Sequence, residues 1–424
     1  MSGSTSKPSR SRSSAKKSSS PSRKSSKSSK PSKSSASNSP MQLVYALVFL
    51  GVALAIFLST QGCLDPAILG IDPEEEPTTA VVVIPSPDPA VAPTPVADSI
   101  EVYFSTPHLI YPDRPAERSP HPHELALLAD LYAAQSTILV AVFEYTLPSI
   151  AEALIDAHER GVIVRVALDR GNMEDERDAA WAGMLMDAGI PINWEESSSF
   201  LHSKIFMIDD AIVWLGSGNA TINDYYRNNN NWLRITNPLI IQNVRGELNE
   251  MLSDRFGRKK TKRPVYPVLE QDGRRIETYF SPTDTIYPEI VTRIQGAEES
   301  VKFIAFSYTN PEIAAAMIER ADAGVRVSGV YEKRNANGLG SEFQTLADAG
   351  VDVWVDGNCY TMHHKVIIID DRTVITGSYN FTGRAENEND EVLLIIDDRE
   401  LAQLYEEEFQ RVYTQALLAP ACGG

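Results

Sequence analysis

Apolar positions fall along this chain in three kinds of run. The first is unbroken: from Leu43 to Leu58 no charged side chain interrupts it, which is close to the minimum for crossing a bilayer. The second has helical spacing and ends at a glycine. Ile150-Ala-Glu-Ala-Leu-Ile-Asp-Ala-His-Glu-Arg-Gly161 runs into Val162-Ile-Val-Arg-Val166, and Ile313-Ala-Ala-Ala-Met-Ile-Glu-Arg-Ala-Asp-Ala-Gly324 runs into Val325-Arg-Val327. Each reads as helix, glycine stop, strand. The third kind is short, Ile205-Phe-Met-Ile208 and Val366-Ile-Ile-Ile369, the signature of a buried strand.

The last two kinds occur in pairs and in the same order. Ile100-Glu-Val-Tyr-Phe-Ser105 also returns as Ile276-Glu-Thr-Tyr-Phe-Ser281, and Asp187-Ala-Gly-Ile190 as Asp348-Ala-Gly-Val351. A duplicated structural unit produces such self-similarity; chance does not. The pattern predicts an α/β protein of two tandem α/β/α halves, residues 99–258 and 276–416, related by a pseudo-twofold axis. A basic linker, 259–275, joins them, preceded by Arg258 and carrying Lys259, Lys260, Lys262 and Arg263; the tail is 417–424.

The N-terminal quarter changes the picture. Residues 1–40 are dominated by serine and hold ten Lys or Arg and no acid, a composition that cannot bury enough apolar surface to offset chain entropy. That predicts a disordered tail. Residues 41–60 then read as a transmembrane anchor and 61–98, rich in Pro, Ala and acids, as an extended tether. Positive charge before the apolar run and Asp65, Asp72, Glu74, Glu75 and Glu76 after it place the tail in the cytoplasm and the body outside it, at the cell surface or in a periplasm. A cleaved signal and lipid attachment at Cys63 are the alternatives. The formal charge of −18 hides opposite parts: without the ten tail charges, −28 rests on residues 41–424. An acidic body weighs against non-specific duplex binding. Cys63, Cys359 and Cys422 are far apart and lack ligand spacing, so neither a disulfide framework nor a zinc site is expected; no cofactor is expected for the chain, and Cys359 reads as a small buried thiol.

The chemistry lies in a repeated motif. His202-Ser-Lys204, Asp209 and Gly216-Ser217-Gly-Asn219 match His363-His-Lys365, Asp370 and Gly377-Ser378-Tyr-Asn380 spacing for spacing. On a strand, residues i and i+2 share a face, so each His projects with its Lys while Ser203 and His364 point away. Imidazole offers a nucleophile or proton donor near neutral pH, and Lys204, Lys365, Ser217, Asn219, Ser378 and Asn380 can hold the non-bridging oxygens of a phosphate. Gly216 and Gly377 give room for close backbone approach. Asp209 and Asp370, at their strand ends, are expected to fix motif geometry rather than do chemistry. Two halves facing one cleft supply one imidazole to attack phosphorus and one to protonate the leaving oxygen.

This pattern resembles the phospholipase D superfamily, over about residues 98–416, and its short halves resemble the compact nuclease and mitochondrial cardiolipin hydrolase branch. The resemblance implies a metal-independent phosphodiesterase working through a phosphohistidine. It also implies that Glu391, in Asn389-Asp-Glu391, backs a catalytic histidine, while the matching segment Asn229-Asn-Asn231 offers Asn231 instead. In relatives the acid often reaches across to the other half, so Glu391 is expected behind His202 as nucleophile, leaving His363, beside Asn231, as general acid.

The expected substrate is a phospholipid phosphodiester, with the bilayer as partner. A nuclease acting on DNA or RNA is the alternative and a non-catalytic membrane-anchored scaffold a third reading; with both half-sites in one chain, a monomer suffices. Tyr225, Tyr226 and Arg227 could line the mouth of the site or simply pack a turn. His121, His123 and His158 read as surface residues.

Overall fold

The computed structural model describes residues 99–106, 118–174, 176–271 and 273–418; the expected tail, anchor and tether lie outside them. Among the described residues no helix is long and apolar enough to cross a membrane.

The first half runs β1 (Ile100–Phe104), α1 (Pro122–Ala133), β2 (Thr137–Val142), α2 (Pro148–Glu159), β3 (Ile163–Asp169), α3 (Glu176–Asp187), β4 (Ile192–Glu195), β5 (Lys204–Ile208), β6 (Ile212–Gly216), α4 (Ile222–Tyr226), β7 (Asn231–Ile235) and α5 (Pro238–Met251). The second runs β8 (Val268–Gln271), β9 (Arg274–Ser281), α6 (Tyr287–Gln295), β10 (Ser300–Ala305), α7 (Pro311–Asp322), β11 (Arg326–Tyr331), α8 (Phe343–Asp348), β12 (Asp352–Val355), β13 (Lys365–Ile369), β14 (Thr373–Gly377), α9 (Gly383–Asn387), β15 (Glu391–Asp397) and α10 (Arg399–Leu418). Strand order is β4-β3-β2-β5-β6-β7-β1 in one sheet and β12-β11-β10-β13-β14-β15-β9-β8 in the other. The two are one topology repeated, with β8 added at an edge.

The expected helix stops hold: Gly161 and Gly324 follow α2 and α7 at φ +93 and +90, a left-handed backbone that glycine adopts without a Cβ penalty. Alternation along the motif strands divides the core. Ile205 and Met207 on β5, with Val366 and Ile368 on β13, enter one cluster shared by both halves, into which α5 and α10 also pack through Val244, Leu248, Tyr405 and Phe409. Phe206 and Ile208 turn to the first half's own helices, and Ile367 and Ile369 to the second's. Both faces of each motif strand are therefore buried, which explains unbroken rather than alternating apolar runs.

The linker is tied into this body through Lys260, while Arg258, Lys259, Lys262 and Arg263 around it stay exposed. Lys260 is buried, its ammonium 2.7 Å from Asp390 and 2.9 Å from the Ser281 carbonyl and also paired with Glu247. Cys359 also departs from expectation: it is disulfide-bonded and half-buried. His123 is not a surface residue either; it is buried and stacked on Trp232 with ring centroids 4.4 Å apart.

Candidate active site

Strands β2 and β10 run antiparallel to the motif strands and end beside the lysines, Val142 opposite Lys204 and Ala305 opposite Lys365. In each case the strand begins at the lysine, two residues after the histidine. The histidine's backbone is instead held by the other half. His202 N donates to the Asp390 carbonyl at 3.0 Å, and His363 N to the Asn229 carbonyl at 2.9 Å. Reciprocal bridges, Leu201 with Asp390 and Asn229 with Met362, make this exchange pseudo-twofold.

The side chains repeat the exchange. His202 Nδ1 lies 2.8 Å from Glu391 Oε2, and His363 Nδ1 lies 2.9 Å from Asn230 Oδ1. Each imidazole is oriented by a residue of the opposite half, with Nδ1 engaged. Lys204 and Lys365 fold their ammonium groups back on the His202 and His363 carbonyls. Phe143 and Phe306 stand edge-on to the two rings, at centroid distances of 4.9 and 4.7 Å.

The neighbour of His363 is thus Asn230, not Asn231. Gly216 pairs with Trp232 and Gly377 with Leu393, so Glu391 corresponds to Asn230 and Val392 to Asn231. Ser217 and Ser378 confirm the register: the first donates to Asn230 Oδ1 at 2.9 Å, the second to Glu391 Oε2 at 2.7 Å. Asn231 serves the shared core, meeting Tyr405 OH at 2.9 Å, Thr376 Oγ1 at 3.0 Å and His364 Nδ1 at 3.1 Å. His364, pointing away as its parity requires, reaches Glu408 on α10 at 2.9 Å.

Both serine hydroxyls are committed to the residues that orient histidine, and each also accepts a backbone N–H, from Asn231 or Val392. The motif asparagines differ: Asn219 Oδ1 and Asn380 Oδ1 are buried without a hydrogen-bond partner. Those oxygens only accept hydrogen bonds, so contact with a phosphate oxygen would fall to the Nδ2 ends of the same amides. Asp209 accepts from the backbone of Gln135, Ser136 and Thr137 at 2.7 to 2.9 Å, and Asp370 from Glu298, Glu299 and Ser300 over the same range. They fasten the far end of each motif strand to the start of β2 or β10. Gly216 and Gly377 are required by contact: a Cβ would sit 2.1 Å from the Asn231 carbonyl oxygen or 2.2 Å from that of Val392.

Tyr226 donates to Glu124 and Tyr225 is buried against His123, so the tyrosines pack the half. Arg227 lies over the Tyr360 ring at 5.3 Å. Arg384 stacks similarly on Phe200 at 3.8 Å, and Phe200 in turn lies 5.1 Å from Phe143, the ring beside His202.

Burial governs the charges. It pulls His202 down to about 4 although Glu391 opposes the shift. His363 falls well below its ordinary value through burial and through Lys365, Lys204 and His202. Lys204 drops to about 8 by burial; Lys365 drops well below its usual range by burial and by repulsion from Lys204. Two ammonium groups from different halves that repel each other in a buried place make a site that favours an anion. Among the described residues no cluster of His, Cys, Asp and Glu could hold a metal ion.

Two duplicated half-sites, each giving one histidine and one lysine to a common buried anion site, define a phosphodiester hydrolase of the phospholipase D class. The chain belongs to that superfamily: the model of the family described as cardiolipin synthase, PLD-like domain, matches residues 127–252 and 290–413. A phospholipase D of Rickettsia typhi is 35% identical over 140 residues, covering 33% of this chain and 69% of the relative. A mitochondrial cardiolipin hydrolase of Xenopus laevis is 32% identical over 133 residues, covering 31% of this chain and 63% of the relative. Among solved structures, the phosphatidylserine synthase of Haemophilus influenzae Rd KW20 shares the fold, with a TM-score of 0.53 and 17% identity over 68% of this chain and 83% of that one.

Proposed function

We propose that this protein hydrolyses phospholipid phosphodiesters, with His202 as nucleophile and His363 as general acid. The observation that carries the assignment is the unequal backing of the two rings: a carboxylate at His202, an amide at His363. A carboxylate accepting from Nδ1–H makes Nε2 a stronger nucleophile and stabilises the charged ring that attack creates; an amide fixes the tautomer but stabilises charge less.

The lysines and the motif asparagines hold the anionic diester. His202 Nε2 attacks phosphorus and forms an N–P bond. As the P–O bond to the leaving group breaks, that oxygen takes a proton from His363. Neutral His363 then removes a proton from water, whose oxygen attacks phosphorus, breaks the N–P bond and frees His202 and the phosphomonoester. In the empty site both rings are held neutral. The bound anion offsets the lysine charges that keep His363 unprotonated, so the acid is charged when the substrate arrives. All of these roles fall to protein side chains, which supports a reaction that proceeds in the presence of a chelator.

Lipid is favoured over nucleic acid by the names of the two relatives, by the acidic body, and by the linker, whose Lys260 is neutralised internally by Glu247 and Asp390. The apolar run from Leu43 to Leu58 supports a membrane-anchored protein, N-terminus cytoplasmic, holding this site beside a bilayer. The disulfide at Cys359 supports a body outside the cytoplasm, because structural disulfides persist in oxidising compartments. The test is turnover by the full chain in detergent micelles with EDTA. Phosphatidylcholine and cardiolipin are compared with single-stranded DNA and RNA. Lipid cleavage without nucleic-acid cleavage is expected; cleavage of nucleic acid instead, falling steeply with salt, replaces the lipid reading.

A further inference from the structure

We propose that Asp224 is the positioning residue for His363, acting on the general acid through the amide of Asn230; the inference rests on the two-histidine reading above. Asn230 stands where the second half has Glu391, so the direct carboxylate is missing from the first half. An amide is ambiguous in this place. Its oxygen can accept from imidazole Nδ1–H, or its NH₂ can face the ring and force the opposite tautomer.

Asp224 removes the ambiguity. A carboxylate only accepts hydrogen bonds, and Asp224 Oδ1 lies 2.9 Å from Asn230 Nδ2. The NH₂ end of the amide is thereby pinned, which turns Oδ1 toward His363 at 2.9 Å. The carboxylate is itself fixed. Its Oδ2 accepts from Asn219 N at 2.7 Å, its Oδ1 also takes Asn228 Nδ2 at 2.6 Å, and its backbone N–H is capped by Thr221. Asp224 and Asn230 are both buried.

The second half has no such device. Thr382 caps Ala385 as Thr221 caps Asp224, so the residue equivalent to Asp224 is an alanine. One half therefore keeps its carboxylate on the imidazole, and the other keeps one an amide away, with Asp224 Oδ1 still 3.7 Å from His363 Nδ1. Lys365, Lys204, His202 and His364 all face His363 and disfavour its protonated form, and Asp224 supplies opposing negative charge. An imidazolium supported at this remove parts with its proton more readily than one bonded directly to a carboxylate, which suits a general acid.

The experiment uses full-length protein and two diesters differing in leaving group. Bis(p-nitrophenyl) phosphate releases a stable phenolate that needs no proton; phosphatidylcholine in mixed micelles releases an alkoxide that does. Asp224→Asn is expected to slow phosphoenzyme formation, read as single-turnover release of the leaving group, by roughly a hundredfold on phosphatidylcholine, the lower range of general acid catalysis, and to leave the p-nitrophenolate burst from the aryl ester within about threefold. Should that variant fail to fold, Asn230→Ala cuts the same relay at its other end and gives the same split. Equal losses on both esters would mean a purely structural role, and no loss on either would mean no role; both overturn the inference while sparing the parent reading. A wild-type protein inactive on both esters overturns the two together.

Discussion

Glu391, the first residue of β15 in the second half, lies 2.8 Å from Nδ1 of His202 in the first. Ser378 at 2.7 Å and Asn389 at 3.1 Å hold the carboxylate there. Burial alone would raise Glu391, yet His202 and Lys204 outweigh it and keep the acid below its ordinary value. Glu391→Gln keeps the shape and removes the charge. We expect kcat to fall by on the order of a thousandfold or more, as when the acid of a catalytic His pair becomes an amide, with KM and thermal stability little changed. A loss below about tenfold would mean that Glu391 does not support the nucleophile.

Asp209 ties the end of β5 to three successive backbone N–H groups before and at the start of β2, far from the histidines along the strand. Asp209→Ala should lower unfolding free energy by about 1–3 kcal/mol, the range for charged hydrogen bonds left unmade. Turnover by the folded fraction should persist. Denaturant unfolding and active-site titration separate the two effects.

His123 gives the fold a measurable acid sensitivity. Burial, helped by His121, lowers it from 6.5 to about 3, and neither ring nitrogen has a partner. Below pH 6.5 the unfolded chain takes up a proton that the folded ring refuses until about 3. Stability from this group is therefore intact above that window and lost as pH falls through it. His123→Phe keeps a ring on Trp232 without titrating. Relative to its effect at pH 7, it should stabilise by about 2 kcal/mol at pH 5, read from urea unfolding at both values.

Gly218 and Trp232 form a size-matched pair. A Cβ on Gly218 would lie 1.9 Å from the indole, whereas the second half places Tyr379 and Leu393 at the equivalent positions. Gly218→Ala should cost about 1–3 kcal/mol as overpacking, and the cost should largely vanish in a Trp232→Leu background. Additive losses in the double variant would refute the pairing.

The duplication, the motif strands and the glycine stops were legible because each depends on local spacing. The partner of His363 was not. Asn228 to Asn231 are four identical side chains, so composition marks no register, and backbone pairing to β6 decides it. Carrying the constant step from His202 to His363 downstream would have pointed from Glu391 to Asn230. Asp224 lacked even that signal, since its counterpart is Ala385. The burial of His123 depends on a stack against Trp232, more than a hundred residues away in sequence.

The most direct measurement is the site of the covalent intermediate. His363→Ala, incubated with a ³²P-labelled aryl phosphodiester whose leaving group needs no proton, should accumulate an acid-labile phosphoryl group that maps to His202. Label on any other residue, or a phosphoryl-enzyme accumulating in His202→Ala instead, would contradict the account.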